Sequence, residues 1–336
     1  MDNRHLKQQL FILAALLCIS CGGRQKGREA SADTIALASC PTFVADSAMQ
    51  HIQKQCAFGA RVPGTEAHRQ CGDYLVQKFR SYGCSVMEQR VELDLYDGTK
   101  IPARNIIAST LPESTDRVLI CAHWDSRPWA DHDPDEANHH TPVPAANDGA
   151  SGVAVMLEMA RLIQGSPLSF GVDFICFDAE DLGMPYWDEE KYSEEPDSWC
   201  LGSTHWAQHP HKEDYAARYG ILLDMVGGRG SRFYMEGVSC YYANNVVQML
   251  WHLAHQIGYG AFFPLQDGGQ VQDDHVPVNQ YAGIPCIDVI PHFEHGPSSF
   301  GPTWHTVSDT PDNIDSAVLK AVGQSVMQMM YNDNAK

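Results

Sequence analysis

Short uninterrupted apolar runs alternate with helically spaced ones along most of this chain. Val118-Leu119-Ile120-Cys121-Ala122, Val172 to Phe177, Tyr219 to Leu223 and Ile284 to Ile290 are continuous runs of the kind expected of strands covered on both faces. Val86 to Tyr96 and Arg104 to Ser109 also read as strands. Helical spacing runs from about Cys40 to Tyr82, broken by Arg61-Val62-Pro63-Gly64-Thr65. It returns at Val153, Met156, Leu157, Ala160 and Ile163, at Val246 to Ile257, and at Ile314 to Met329, where Ile314, Val318, Ala321, Val322 and Met329 share a face. Strands alternating with helices predict an α/β fold: one domain, residues 40–336, with a central twisted, mostly parallel mixed sheet flanked by helices. An irregular stretch from Ser126 to Ala146 interrupts the pattern and is long enough to suggest function.

The first residues carry a different signal. Arg4 and Lys7 precede an apolar run from Leu10 to Ile19, then Ser20-Cys21-Gly22-Gly23. That run is too short for a stable membrane anchor and reads as a signal peptide over 1–20. The cysteine directly after it, followed by a Gly-, Ser- and Ala-containing linker over 21–39, suggests a lipid anchor at Cys21. The expected location is therefore outside the cytoplasm: periplasmic, or membrane-attached as a bacterial lipoprotein. Cys18, three residues before Cys21, departs from the usual leucine of such signals.

Composition narrows the classes. Of 336 residues, 44% are hydrophobic and 19% charged, which favours a sizeable core over disorder or coiled coil. With 23 Lys+Arg against 42 Asp+Glu, the net charge of −19 would repel a phosphate backbone, so no nucleic-acid partner is expected. Nine cysteines follow Cys21, an odd number that requires a free thiol, and no CxxC pair marks a structural zinc knuckle.

In parallel sheets ligands gather beyond the carboxyl ends of the strands. His123-Trp124-Asp125 follows one predicted strand, Asp178-Ala179-Glu180-Asp181 another, and Asp224 a third. Pro291 and His292 follow the fourth, with Trp304-His305 soon after in a Gly- and Pro-rich loop. Asp148 lies in Asn147-Asp148-Gly149-Ala150-Ser151-Gly152, at the start of a helix. Singly each is an ordinary loop residue; together they bring carboxylates and imidazoles to one rim. Zinc takes such donors, and a catalytic zinc keeps a position open beside three protein ligands. Adjacent Glu180 and Asp181 allow one carboxylate to bind metal while the other serves as general acid/base.

The order and spacing of His123-x-Asp125, Asp148-Gly-Ala-Ser-Gly, Glu180-Asp181, Asp224 and His305-Thr306-x-x-Asp309-Thr310 resemble the zinc-dependent M28 peptidase clan. Within it the chain is similar to glutaminyl cyclases of the animal type, in a bacterial lipoprotein form. Trp304, Phe300 and Trp187 stand where cyclases carry pocket aromatics, and Gln272-Asp273-Asp274-His275 matches their paired-acid motif. The resemblance implies a zinc-aminopeptidase-like (phosphorylase/hydrolase-like) fold. It implies one Zn²⁺ per chain on Asp148, Asp181 and His305, with Glu180 as general acid/base. Asp224 and Asp273 would form an acid pair near the leaving nitrogen. Trp187, Phe300 and Trp304 would wall the pocket, and Gln272 would add backbone contacts. The implied substrates are peptides and proteins with N-terminal glutamine, cyclised to pyroglutamate with release of ammonia.

The chain departs from that pattern in places. Asp181 stands where animal cyclases use Glu, and no cysteine lies between Ala150 and Met156 to make their disulfide, which leaves Cys121 free. His123 and Asp224 keep the residues a second metal uses in two-zinc peptidases, and Asp125 and Asp274 are further second-metal or supporting candidates. A zinc aminopeptidase of the same clan, with water activated by Glu180, is therefore the alternative enzyme. A surface-anchored binding lipoprotein without catalysis is the alternative of another class. The 126–146 loop, with Trp129, His132, His139 and His140, reads most plainly as solvated, with gating or calcium binding as functional alternatives.

Overall fold

The structure is a computed structural model and describes residues 36–335. The expected signal peptide, Cys21 and most of the 21–39 linker lie outside the described residues. Six strands form one sheet: β1 (Ser85–Asp94), β2 (Lys100–Ser109), β3 (Arg117–His123), β4 (Gly171–Phe177), β5 (Gly220–Leu223) and β6 (Cys286–Val289), in the order β1-β2-β4-β3-β5-β6. The four strands from β4 to β6 run parallel, while β2 pairs antiparallel with both β1 and β4. Every residue of β3 and β4 is buried, which is why these segments read as continuous apolar runs. Edge strand β1 instead alternates between exposed and half-buried positions over most of its length.

Alternate side chains of the buried strands feed two cores. Val118, Ile120 and Ala122 of β3, with Phe174, Ile221, Leu223 and Ile287, pack beneath α1 (Ala45–Cys56), α2 (Glu66–Ser81), α3 (Ala150–Gly165), α5 (Gly237–Gln256) and α7 (Ser316–Asn334). Leu119, Cys121, Ile175, Phe177 and Leu222 face the other way, against Trp206 of α4 (Leu201–Gln208) and Val278 of α6 (His275–Gln280). These two short helices were not evident from apolar periodicity, because eight and six residues carry too few turns to show it. Local caps agree with the longer helices: Thr65 accepts from His68 N, Glu236 from Val238 N and Ser239 N, and Asp315 from Ala317 N.

Helix α3 matters most for the site. It has no side-chain N-cap and enters directly from Gly149, whose φ of +99° disfavours any residue with a Cβ. A Cβ on Gly152 would lie 2.0 Å from the Leu223 carbonyl oxygen, so α3 rests on β5 at glycine distance. The glycines of Asp148-Gly-Ala-Ser-Gly thus bring the helix start down onto the strand ends. All nine described cysteines are free thiols, Cys121 among them. No helix of the described residues is long and apolar enough to cross a membrane.

Candidate active site

The loops leaving the carboxyl ends of β3 to β6 meet the start of α3 in one buried cluster. Asp125, two residues beyond β3, accepts hydrogen bonds from the backbone N–H of Glu180 (3.2 Å) and Asp181 (3.2 Å). It thereby fixes the acid pair after β4, where Ala179 turns the chain at φ +55°. The carboxylate of Asp309 does the same for the α3 loop, accepting from Asn147 N (2.9 Å) and Asp148 N (3.0 Å). Asp309 lies four residues beyond His305, so one side chain ties the Asp148 loop to the His305 loop.

His305, itself at φ +52°, points Nε2 to within 3.2 Å of Asp181 Oδ1 and 3.7 Å of Asp148 Oδ2. Its Nδ1 lies 3.5 Å from Asp131 Oδ1, and both oxygens of Asp131 accept from Nε and Nη2 along one edge of the Arg127 guanidinium. A carboxylate behind a ligating imidazole is the usual device for fixing its ring and tautomer. Arg127 also donates toward the carbonyl oxygens of Asp181 (3.4 Å) and Gly183 (3.2 Å). The 126–146 loop therefore props the site from beneath through buried Arg127 and Asp131, rather than lying free in solvent.

Ligand atoms of Asp148, Asp181 and His305, all buried, lie within 4.8 Å of one another. Oδ2 of Asp148 and Oδ2 of Asp181 have no hydrogen-bond partner, although buried carboxylate oxygens normally find one. Two orphaned carboxylates and an imidazole fit the donor set of a catalytic zinc with a free position. A second group, His123, Asp148 and Asp224, shares Asp148, with His123 Nε2 3.0 Å from Asp148 Oδ1 and 3.2 Å from Asp224 Oδ1.

Burial raises the carboxyl of Glu180 well above its ordinary range; His123 opposes this, and the charges of Asp273, Asp181 and Asp274 add to it. Burial likewise raises Asp224, to about 7, against its hydrogen bond to His123 and with the charge of Asp273 beside it. Asp148 is held low despite burial, because His123 and His305 face it.

Above the acids lies a cavity of about 270 Å³ lined by Asp148, Glu180, Asp181, Trp199, Asp224, Met225, Val271, Gln272, Asp273, Ile290, Phe300, Trp304 and His305. Nine residues singled out in the sequence therefore share one pocket. Trp187 does not line it: the ring sits among Trp129, His140 and Tyr186, with centroids 4.6–6.4 Å away. The wall position belongs to Trp199, stacked on His305 at 5.9 Å and 13° and under the Arg127 guanidinium at 4.7 Å. Two tryptophans follow the acidic pair, and the nearer one matched the expected offset. Of the further metal candidates, His123 joins a donor group, whereas Asp125 serves as the backbone clamp. Asp274 is fully buried and joins no donor group among the described residues. Asp131, Arg127 and Trp199 were not singled out in the sequence, and Asp309 was quoted only as part of a motif.

Comparison with known proteins places this geometry. The model of peptidase family M28 matches residues 105–330. A Bacteroides thetaiotaomicron glutaminyl cyclase, crystallised with N-acetylhistamine, is 48% identical with a TM-score of 0.85, covering 88% of this chain and 99% of that one. A Zn-dependent exopeptidase from Parabacteroides distasonis is 47% identical with a TM-score of 0.85, covering 88% and 100%. Aminopeptidase YwaD of Bacillus subtilis is 30% identical over 254 residues, 73% of this chain and 48% of that protein. The chain thus spans about half the length of that curated relative. Strand-end acids, an α3 loop drawn down by glycine and a histidine delivered after β6 have the same explanation: this chain belongs to peptidase family M28.

Proposed function

We propose that this protein is a zinc-dependent glutaminyl-peptide cyclotransferase, converting N-terminal glutamine of peptides and proteins to pyroglutamate with release of ammonia. One observation carries the reading: Asp148, Asp181 and His305 converge beside Glu180 in a pocket walled by Trp199, Phe300 and Trp304. The 48% identity to a glutaminyl cyclase of the same fold supports it. Asp148, Asp181 and His305 would hold one Zn²⁺. Bound there, it would supply Lewis-acid polarisation of the glutamine γ-carbonyl.

The rest falls to the chain itself. The aromatic walls hold the substrate folded, so that its α-amine faces its own side-chain carbonyl. Glu180, raised well above its ordinary range by burial, accepts a proton from the attacking amine and returns it to the departing nitrogen. Asp224 and Asp273 line the same pocket and would meet that nitrogen as it leaves. A volume of about 270 Å³ sits just under the ~300–1,000 Å³ typical of small-molecule sites and suits one chain end rather than a length of peptide.

A zinc aminopeptidase is the second reading, favoured by the His123–Asp148–Asp224 donor group. Mass spectrometry on Gln-initiated and Ala-initiated peptides separates the two. Ammonia loss from the Gln peptide alone, abolished by chelation and restored by zinc, is the expected result. Release of free amino acid from either peptide would establish hydrolysis instead. We also infer export as a lipoprotein, from Arg4, Lys7, the apolar run 10–19 and Cys21. Cys21→Ser should then move the protein from the membrane fraction to the soluble one.

A further inference from the structure

Below the pocket wall a sulfur joins the acids. Cys200 lies just ahead of α4 at φ +54°, a conformation uncommon for a residue with a Cβ. Two backbone bonds hold it there, Cys200 N to Glu180 O (3.0 Å) and Leu201 N to Ala179 O (3.1 Å), both to the loop that carries Glu180. The thiol donates to Glu180 Oε1 at 3.4 Å. Asp273 closes the group: donor atoms of Glu180, Cys200 and Asp273 lie within 4.8 Å of one another.

A second observation points to a ligand. Asp273 is 5% exposed, and its Oδ2 is buried with no N–H or hydroxyl donor; the side chain meets another buried carboxyl, Asp288, whose own two oxygens also lack such a donor. The spacing suits a metal as well. Zinc–sulfur and zinc–oxygen bonds of about 2.3 and 2.1 Å put the two donors of a tetrahedral site roughly 3.6 Å apart, close to the Cys200–Glu180 separation.

We propose that Glu180, Cys200 and Asp273 form an inhibitory site for a thiophilic divalent cation, Zn²⁺ in excess or Cd²⁺, separate from the Asp148–Asp181–His305 centre. On binding, the thiol releases its proton to solvent and the sulfur donates its electron pair to the cation, with no change of oxidation state. Thiolate favours such cations over Mg²⁺ or Ca²⁺. Without a cation, burial and the charges of Glu180, Asp274 and Asp273 keep the sulfur protonated. Occupation would tie down Glu180, so inhibition rests on its role as the base. The binding itself does not depend on which reaction the pocket performs.

The test is a cadmium titration of the zinc-loaded full chain, read by sulfur-to-cadmium charge-transfer absorption. Asp148, Asp181 and His305 bring no sulfur, so cadmium there is silent in this band. Half-buried Cys40, Cys56 and Cys240 set a background that Cys200→Ser leaves intact. One equivalent of the band should vanish in Cys200→Ser, together with most of the inhibition by excess cadmium. Asp273→Asn keeps the sulfur and should weaken cadmium binding roughly tenfold or more. That variant decides the matter if a thermal melt shows Cys200→Ser to be unfolded. Equal bands in the wild type and Cys200→Ser, or unaltered cadmium affinity in Asp273→Asn, would overturn the proposal. Because the band needs no turnover, it is scored even if no glutamine peptide is cyclised.

Discussion

Removing the carboxylate of Asp309 would strip the acceptors from two buried backbone N–H groups at once, those of Asn147 and Asp148. Asp309 is 1% exposed, so water cannot readily replace it. Each orphaned donor costs about 1–3 kcal/mol, which sets the loss for Asp309→Ala at about 2–6 kcal/mol. At about 2–4 °C per kcal/mol, that lowers the melting temperature by roughly 4–24 °C, and against a total stability of about 5–15 kcal/mol the fold survives over most of that range. Asp309→Asn keeps one acceptor oxygen and should lose about half as much. The sharper consequence concerns the metal, because one of the freed N–H groups belongs to Asp148 itself. Loss of a supporting hydrogen bond behind a ligand typically weakens metal affinity 10–100-fold, and that is the drop expected in Asp309→Ala. Competition with a chromophoric chelator measures it, alongside thermal melts with and without zinc. If Asp309→Ala melts lower yet holds zinc within roughly threefold of the wild type, well short of that drop, the clamp does not position Asp148 and the reasoning fails.

Further outcomes follow from the same geometry. Glu180→Gln should retain zinc, measured by elemental analysis, while kcat falls about 10²–10⁴-fold; near-normal turnover would remove Glu180 from the chemistry. Trp199→Ala should lower kcat/KM roughly tenfold or more, since the ring both walls the pocket and stacks on His305. Trp187→Ala should cost much less, and the reverse order in a peptide assay would return the wall to Trp187. Acid stability has a separate origin in His51, lowered to about 4 chiefly by burial. A depressed imidazole contributes stability that is complete above its unfolded value near 6.5 and is lost as pH falls through 4. The loss is on the order of 3 kcal/mol from this residue. Urea melts between pH 7 and 4 should show that decline, flattened in His51→Gln; an unchanged slope in the variant would contradict it.

The sheet was legible because β3 and β4, buried on both faces, cannot hide among polar residues. Asp148, Glu180, Asp181 and Asp224 were legible because each sits just after a strand or before a helix, where topology gathers side chains from distant sequence; His305, in the loop well beyond β6, was legible only from its motif. Helices α4 and α6 escaped notice because their length leaves no period to read. The supports escaped for another reason. Arg127 and Asp131 stand within a polar loop, and nothing in their spacing tells a buried ion pair from a solvated one. Trp199 and Trp187 are both tryptophans after the same acidic pair, and only the backbone bridge between Asp181 and Trp199 brings the later ring to the pocket. Sequence position identifies what is offered to the rim; burial and hydrogen bonding decide which groups are used.

The charges left over after zinc bear on the choice between the two family chemistries. Asp148, Glu180, Asp181, Asp224 and Asp273 line the pocket with a single imidazole, His305. Two carboxylates about 4 Å apart repel by roughly 4 kcal/mol at a surface-like dielectric, so five cannot all stay ionised in 270 Å³. A divalent cation on Asp148, Asp181 and His305 would answer two charges. Protons, shared most readily on Glu180 and Asp224, and the ammonium of a substrate N-terminus would answer the others. Both chemistries benefit from that preference for a chain end. They differ in the nucleophile: hydrolysis needs an activated water held in the pocket, whereas ring closure brings its own amine and gains from excluding water. Trp199, Phe300, Trp304, Ile290, Val271 and Met225 make the remaining wall largely apolar. Such a wall keeps bulk water from the substrate and suits ring closure, the reaction proposed for these acids.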